Sequence, residues 1–209
     1  MLKIKTFVSG MLSNNTYLLF SGTSKPRRKG ILIDPTGCFD AVNNFIDKES
    51  IEIIAVFLTH GHFDHVLDVP KWQNRGIKVF AHPKEMFNLN SNRTVQMLKA
   101  LGLPNILINE ELTEKKYVFD DIIIDVIHTP GHTEGSCCFV VEDNIFSGDT
   151  LFFKSFGRTD FPDGDFDKIK KSLIKLFTYS DLDYKVYPGH EEVSSLYFEK
   201  THNPILMYF

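Results

Sequence analysis

Thr59-His60-Gly61-His62-Phe63-Asp64-His65 brings three imidazoles and a carboxylate into six positions of a 209-residue chain that has only 8 His. The apolar run from Ile53 to Leu58 comes directly before this stretch and predicts a buried strand. Metal-binding side chains that follow a buried strand can converge in a cleft at its end. We therefore interpret the stretch as part of a metal site.

Three more metal-capable residues lie far downstream, each after an apolar run and each next to a glycine: His132, Asp149 and His190. Imidazole and carboxylate ligands without thiolates favour Zn, Fe or Mn at a catalytic site, because closed structural zinc sites normally use cysteines. Along an extended loop His60 and His62 point the same way, whereas Asp64 and His65 turn toward a neighbouring position. The full set predicts two adjacent ions.

The remaining histidines lack a matching acidic or histidine neighbour. We interpret His82, His128 and His202 as structural residues. His128 precedes the Pro130-Gly131 turn, which leaves open whether it orients a ligand.

Composition indicates a single globular domain over residues 1–209, since 43% of the residues are hydrophobic and supply a sizeable core. The net charge is −4 and the 23 Lys and Arg are scattered, so we expect no nucleic-acid partner. The three cysteines, Cys38, Cys137 and Cys138, predict buried thiols in a reducing compartment. Neither a signal peptide nor a run of about 20 apolar residues is apparent. We expect a cytoplasmic protein with no membrane partner, and the oligomeric state stays open.

The order of the apolar runs predicts an α/β fold in which two sheets pack face to face under helices. Strands are expected at 3–8, 16–20, 30–34, 53–58, 77–80, 122–127, 137–141 and 144–147. Helices are expected at 40–47 with Asp40 as N-cap, at 64–74, and after Asp165, where Phe166, Ile169, Leu173, Leu176 and Phe177 form the apolar face. The segment from Pro83 to Glu114 is predicted to be a polar insertion over the cleft.

The motif His60-x-His62-x-Asp64-His65, followed by His132, Asp149 and His190, resembles the metallo-β-lactamase superfamily over nearly the whole chain. Within it, the short glyoxalase II-like hydrolases are similar in these stretches: Thr129–Thr133, Gly148–Phe152, Phe156–Pro162 and Asn203-Pro204. The resemblance implies an αββα sandwich with the metal site at the shared edge of the two sheets.

The resemblance also implies roles for single residues. One ion would take His60, His62 and His132, and the other would take Asp64, His65 and His190, with Asp149 bridging them. Zn is the expected metal, with Fe or Mn as alternatives, and Asp64 and Asp149 are the implied catalytic carboxylates. Asp34 would orient a ligand imidazole. Arg158 would contact the substrate, unless it only pairs with Asp160, Asp163 or Asp165.

The implied activity is hydrolysis of an acyl thioester such as S-lactoylglutathione by a hydroxide held between two ions, which lower the pKa of water toward about 7. The alternative is a persulfide dioxygenase with one iron at His60, His132 and Asp149, whose family shares Gly157–Phe161. Gly148–Phe152 favours the hydrolases. A non-catalytic module would be expected to lack a ligand, and none is missing.

Two relatives of the hydrolases fit less well. A secreted β-lactamase is expected to carry a signal peptide, so β-lactam hydrolysis is not predicted. Full-length glyoxalase II adds a helical C-terminal domain with basic glutathione contacts, for which we see no counterpart after His190. We therefore expect weak saturation by glutathione thioesters.

Overall fold

Two six-stranded sheets form in the part of the chain that the computed structural model describes, residues 2–10, 12–22, 27–180 and 182–209. The first sheet has the order β1-β2-β3-β4-β5-β6, antiparallel up to β3 and parallel from β3 onward. Its strands are β1 (Leu2–Ser9), β2 (Asn14–Ser21), β3 (Arg28–Ile33), β4 (Ile51–Phe57), β5 (Lys78–Ala81) and β6 (Glu110–Glu111).

The second sheet has the order β14-β13-β10-β9-β8-β7, and only its β10–β13 pair is parallel. Its strands are β7 (Lys116–Phe119), β8 (Ile122–His128), β9 (Cys137–Val141), β10 (Asn144–Gly148), β13 (Lys185–Pro188) and β14 (Ser194–Ser195). A separate hairpin lies between β10 and β13 in the chain and consists of β11 (Leu151–Phe152) and β12 (Ser155–Phe156).

Helices cover the outer faces of both sheets. They are α1 (Phe39–Glu49), α2 (Phe63–Val66), α3 (Val69–Gln73), α4 (Met86–Leu89), α5 (Asn92–Ala100), α6 (Phe166–Phe177) and α7 (Leu196–His202), with short 3-10 turns at Pro83–Glu85 and Pro204–Tyr208. Residues of both sheets, among them Phe57 and Phe139, form the apolar layer between them. Trp72 belongs to the layer under α1 and α3, and Leu173 to the layer under α6 and α7. The predicted αββα sandwich is confirmed.

The predicted helix boundaries differ from the structure in two places. Asp40 is not the N-cap of α1 but lies in its first turn, and Cys38 occupies the cap position. The backbone N–H groups of Cys38 and Phe39 donate instead to Asp68 Oδ2, at 2.7 and 2.9 Å. The predicted helix 64–74 is split into α2 and α3, because Pro70 has no N–H with which to continue one helix.

The helix predicted after Asp165 is present, and Asp165 caps it by accepting from the Lys168 N–H at 2.9 Å. Four of its five predicted apolar residues are buried, whereas Phe166 is only partly buried. All three cysteines are buried and free, as predicted. Among the described residues no helix combines the length and the apolar character that crossing a bilayer requires.

The segment from Pro83 to Glu114 is only partly an insertion. Its first part, from Phe87 to Thr94, lines the cleft. Its later part belongs to the fold itself, because Leu98 and Ile106 are buried in the core under the first sheet and β6 is the last strand of that sheet.

Candidate metal centre

Strand ends from both sheets meet at one edge of the sandwich. The chain leaves β4 for Thr59 and His60, leaves β8 for His132, leaves β10 for Asp149 and leaves β13 for His190. Backbone hydrogen bonds tie these ends together: Cys137 N–H donates to the Thr59 carbonyl at 2.8 Å, and Gly189 N–H donates to the Gly148 carbonyl at 2.8 Å. Residues separated by up to 130 positions are thereby brought into one cluster.

The first group within this cluster consists of His60, His62 and His132, whose ligand atoms all lie within 4.8 Å of one another. His62 Nδ1 and His132 Nε2 are 2.9 Å apart. His60 and His132 are buried, and His62 is half-buried at the cavity.

The second group consists of Asp64, His65 and His190, also within 4.8 Å. His65 Nε2 lies 3.2 Å from His190 Nε2, and Asp64 Oδ2 lies 3.5 Å from His190 Nε2. Asp64 and His65 occupy the single turn of α2, which points their side chains toward a position beside that of His60 and His62.

Asp149 lies between the two groups. Its Oδ2 is 3.4 Å from His132 Nε2 in the first group and 3.6 Å from His190 Nε2 in the second. Its Oδ1 is 3.3 Å from His65 Nε2. The structure therefore assembles all seven predicted ligand residues into two adjacent clusters that share one carboxylate.

Hydrogen bonds orient four of the rings. The Nδ1 atoms of His132 and His190 lie 2.8 and 2.9 Å from the carbonyl oxygens of Arg158 and Leu12, which accept from them. His60 Nδ1 lies 3.1 Å from Thr59 Oγ1, and His65 Nδ1 lies 3.1 Å from Asp34 Oδ2. Because Nδ1 donates in each case, Nε2 is the ring nitrogen that is directed into the cluster.

The electrostatics of the cluster match a cation site. Burial lowers the pKa of His60 well below its ordinary value and that of His62 to about 4, so both rings are neutral and able to bind a metal. Burial opposes ionisation of Asp149, but His65 and its other imidazole neighbours lower its pKa to about 2. For His65 and His190 the neighbouring carboxylates outweigh burial and raise the pKa to about 9 and about 10. Binding an ion there displaces protons.

The residues present fit a pair of divalent ions. His60 Nε2 and Asp149 Oδ1 are buried and have no hydrogen-bond partner, although buried polar atoms are normally paired. Ligand atoms about 2.0–2.1 Å from a tetrahedral zinc ion are about 3.3 Å from one another. The separations of 2.9 to 3.6 Å around His132, Asp149 and His190 agree with that spacing.

Asp34 accepts hydrogen bonds behind the rings. Thr59 N–H donates to its Oδ1 at 2.8 Å and Thr59 Oγ1 donates to its Oδ2 at 2.5 Å. The same Oδ2 faces His65 Nδ1. Asp34 thus contacts both the Thr59-His60 backbone and a ring of the second group.

The sequence analysis did not identify Asn14. Its amide Nδ2 donates to Asp64 Oδ2 at 3.0 Å and lies 3.4 Å from His190 Nε2. Asn14 begins β2 and forms an isolated β-bridge with His190. No local motif marks it, because its partners are 50 and 176 positions away.

A cavity of about 760 Å³ opens over the cluster. Apolar side chains form much of its wall: Leu12, Phe63, Phe87, Phe152, Phe161 and Pro162. Two guanidinium groups also line it, those of Arg93 and Arg158. Arg93, which the sequence analysis did not single out, lies on α5 with its Cζ 4.1 Å from the centroid of the Phe63 ring.

Arg158 lies at the cavity and forms one of the ion pairs that the sequence analysis considered. It lines the cavity, and it also pairs with Asp160 through Nε to Oδ1 and Nη2 to Oδ2, both at 2.6 Å. Its side chain is 63% exposed, and its Cζ stacks 4.6 Å from the Phe161 ring centroid.

The three histidines interpreted as structural make other contacts. His82 and His128 stack on each other with their centroids 4.3 Å apart, and His202 stacks on Phe198. His128 Nε2 lies 3.0 Å from the Glu134 carbonyl oxygen.

Two proteins of other organisms are similar to this chain over most of its length. The chain is 30% identical over 220 residues to an uncharacterized protein of Mycobacterium tuberculosis, with 97% of each chain covered. It is 31% identical over 191 residues to the hydroxyacylglutathione hydrolase GloC of Haemophilus influenzae, covering 86% of this chain and 88% of that protein.

Solved structures share the fold across nearly the whole chain. The BLEG-1 B3 metallo-beta-lactamase superposes with a TM-score of 0.85 at 28% identity, covering 99% of both chains. ETHE1 from Myxococcus xanthus gives 0.80 at 27% identity, covering 97% of this chain and 83% of that one. The protein TTHA1623 in a di-iron-bound form gives 0.80 at 29% identity, covering 96% and 98%.

A family model assigns the chain to a protein superfamily. It describes the metallo-beta-lactamase superfamily and matches residues 10–190, which begin just before Asn14 and end on His190, the last of the predicted ligands. Because that match spans most of the sequence and every residue of the cluster, the chain belongs to the metallo-beta-lactamase superfamily.

Proposed function

We propose that this chain is a dinuclear metal-dependent hydrolase that cleaves small acyl thioesters such as S-lactoylglutathione. The observation that carries the proposal is the position of Asp149, whose carboxylate faces both histidine groups at 3.3 to 3.6 Å. One shared carboxylate between two adjacent ligand sets is suited to a pair of ions. The resemblance to GloC, which is named a hydroxyacylglutathione hydrolase, supports the same reaction class.

Hydrolysis of a thioester at this site would require few protein groups other than those that hold the ions. Two bound divalent cations, with zinc as the first choice and iron or manganese as alternatives, would supply Lewis acidity and a water of lowered pKa. Asp149 and Asp64 provide negative charge that would hold such ions at the base of the cavity. Asn14 donates to Asp64 Oδ2 and holds that carboxylate in place. A thiolate leaves readily, so the reaction does not depend on a strong general acid.

The cavity fits a thioester with an anionic carrier. Aromatic rings offer an apolar surface for the acyl group and the carrier's stem, whereas Arg93 and Arg158 offer guanidinium forks for carboxylates. We place the reaction in the cytoplasm, where buried free thiols such as Cys137 and Cys138 stay reduced.

A second candidate is a persulfide dioxygenase with one iron at His60, His132 and Asp149. The similarity to ETHE1 of Myxococcus xanthus, at 27% identity over 97% of this chain, is consistent with this candidate. The di-iron-bound neighbour also keeps iron in consideration as the metal of either reaction.

Parallel assays on one preparation separate these functions. The protein is purified without added metal, its metal content is measured, and three reactions are followed: thiol release from a thioester panel, oxygen consumption with glutathione persulfide, and cleavage of a chromogenic β-lactam. We expect thiol release that is lost in Asp149→Asn. Oxygen consumption without thioester cleavage would establish the dioxygenase instead, and β-lactam cleavage alone would assign the chain to the activity named for BLEG-1.

A further inference from the structure

Glu85 connects the two loops that carry the first histidine group. It ends the 3-10 turn Pro83–Glu85 before α4, and its side chain is fully buried. Gly61 N–H, between His60 and His62, donates to Glu85 Oε2 at 2.6 Å. Thr133 Oγ1, directly after His132, donates to Glu85 Oε1 at 2.5 Å.

Both loops approach this carboxylate closely enough to require glycine. A Cβ on Gly61 would lie 2.9 Å from Glu85 Oε2, and a Cβ on Gly135 would lie 2.6 Å from Glu85 Oε1. Such contacts are too short for any side chain unless Glu85 moves. The glycines at 61 and 135 therefore fit a carboxylate that stands between the two loops.

The same carboxylate is linked to the wall of the cavity. Asn88 Nδ2 donates to Glu85 Oε2 at 3.1 Å and to Asp163 Oδ2 at 2.8 Å. Both Asn88 and Asp163 line the cavity above the cluster. Glu85 thus lies where the two ligand loops and the cavity wall meet.

Burial of the Glu85 carboxylate is unfavourable, and nearby hydrogen-bond donors offset part of the cost. Burial raises its pKa to about 7, while the hydrogen bonds from Thr133, Asn88 and Gly61 oppose that rise. No lysine or arginine is among these partners. A buried carboxyl group whose hydrogen-bond partners are all neutral donors holds those donors at fixed positions, because loss of any one leaves a buried polar atom without a partner.

We propose that Glu85 is a positioning residue for the metal group formed by His60, His62 and His132, since it sets the separation of the loops that carry them. With Glu85 in place, His62 Nδ1 and His132 Nε2 stand 2.9 Å apart. This inference rests on the metal centre of the proposed function. It does not depend on which substrate is cleaved.

The chain offers a matched control in Glu199. This residue is equally buried and also accepts from a backbone N–H, a hydroxyl and an amide, those of Lys154, Ser194 and Asn203. Two of its partners, Ser194 and Asn203, lie on either side of α7, and Lys154 lies in the turn of the β11–β12 hairpin; none of the three is adjacent to a metal ligand. Removing either carboxylate should lower the melting temperature, but only the removal of Glu85 should weaken metal binding.

The experiment is a Co²⁺ titration of the metal-free full chain, followed by absorption spectroscopy and by metal content after dialysis. We expect Glu85→Met to weaken one of the two sites about 10- to 100-fold, the usual effect of losing a group that orients ligands. Glu85→Gln should retain most of the affinity, because its amide oxygen accepts from Gly61 and its NH₂ group donates to the Thr133 hydroxyl. Glu199→Met should bind two ions as the wild type does.

Three results would overturn the proposal. They are wild-type affinity and spectrum in Glu85→Met, equal metal loss in Glu199→Met, or metal loss in Glu85→Gln as severe as in Glu85→Met. If Glu85→Met does not fold, Thr133→Val replaces it, since it removes the hydroxyl that donates to Glu85 and also pairs with Ser136 Oγ, at nearly constant volume. Unchanged affinity in that variant rejects the role. The titration measures metal affinity and requires no substrate. Its result can therefore be interpreted even if the protein does not cleave thioesters.

Discussion

Asp34 Oδ2 lies 3.1 Å from His65 Nδ1, and both side chains are buried at the base of the metal centre. Asp34 follows β3 in a left-handed backbone conformation, with φ at 49°, that turns its carboxylate under α2. Thr59 donates two further hydrogen bonds to it. A carboxylate behind an imidazole fixes which ring nitrogen carries the proton and therefore which one is open to a metal.

Replacement of Asp34 by Asn should weaken metal binding at the second group about 10- to 100-fold. Asn has the same shape as Asp and tolerates the positive φ at this position. Its NH₂ group is a donor, however, and it would face Thr59 Oγ1 and His65 Nδ1, which donate to the Asp34 carboxylate. Metal content after dialysis measures the loss. Asp68→Asn is the control, because Asp68 is also buried and accepts from the N–H groups of Cys38 and Phe39; an equal loss of metal in that variant would contradict the role of Asp34.

The purified protein should bind close to two metal ions per chain, and Asp64→Ala should reduce that number to about one. Asp64 contacts only the second group, His65 and His190, so the first group should keep its ion. Elemental analysis after metal loading gives both numbers, with Asp167→Ala on the exposed side of α6 as control. A plateau at one ion in the wild type would argue against a dinuclear centre.

Arg93→Met should raise KM for a thioester with an anionic carrier by about 10- to 150-fold, which corresponds to a loss of about 1.5–3 kcal/mol from a charged hydrogen bond. Its guanidinium stacks on Phe63 between two ligand residues and lines the cavity, so kcat should change little. Steady-state kinetics with an anionic and an uncharged carrier measure the difference. Arg75→Met is the matched control, since Arg75 is exposed and stacks on Phe39 far from the centre. Equal KM values for Arg93→Met and the wild type would remove Arg93 from the substrate site.

Arg158→Met distinguishes the predicted substrate contact of Arg158 from a purely structural pair with Asp160. Its pair with Asp160 is about two-thirds exposed on both sides, so loss of the pair should barely shift the melting temperature. Loss of a substrate contact should raise KM more than it lowers kcat. An unchanged KM with a clearly lower melting temperature would leave Arg158 as a structural residue of the 157–162 loop.

Glu49 should contribute stability that disappears in acid. The hydrogen bond from Arg28 Nη2, at 2.8 Å, lowers the pKa of Glu49 below its usual 4.5. A lowered folded-state pKa gives stability that is present above about pH 4.5 and is lost as the pH falls through the folded value. Glu49→Gln should therefore melt below the wild type at pH 7, and the gap should narrow under pH 4.5. Glu111→Gln on β6 is the control, and a gap that does not change with pH would contradict this assignment.

Much of the architecture follows from local patterns in the chain. The apolar run before His60, the helix capped by Asp165 and the buried cysteines could be predicted because each depends on neighbours within a few positions. The seven ligand residues could be identified because turns at strand ends present them, and the family resemblance divided them into two groups. Helix ends were less predictable, as α1 shows, since a distant Asp68 satisfies the N–H groups at its start.

Other parts of the centre depend on the packing of the two sheets. Asn14 reaches Asp64 and His190 across 50 and 176 positions, and Glu85 reaches Thr133 across 48. An Asn at the start of a strand or a Glu in a short turn has no periodic signature, because its partner is chosen by the way the strands and loops come together. The sequence alone therefore predicted the ligands, whereas tertiary packing determined the residues that hold and surround them.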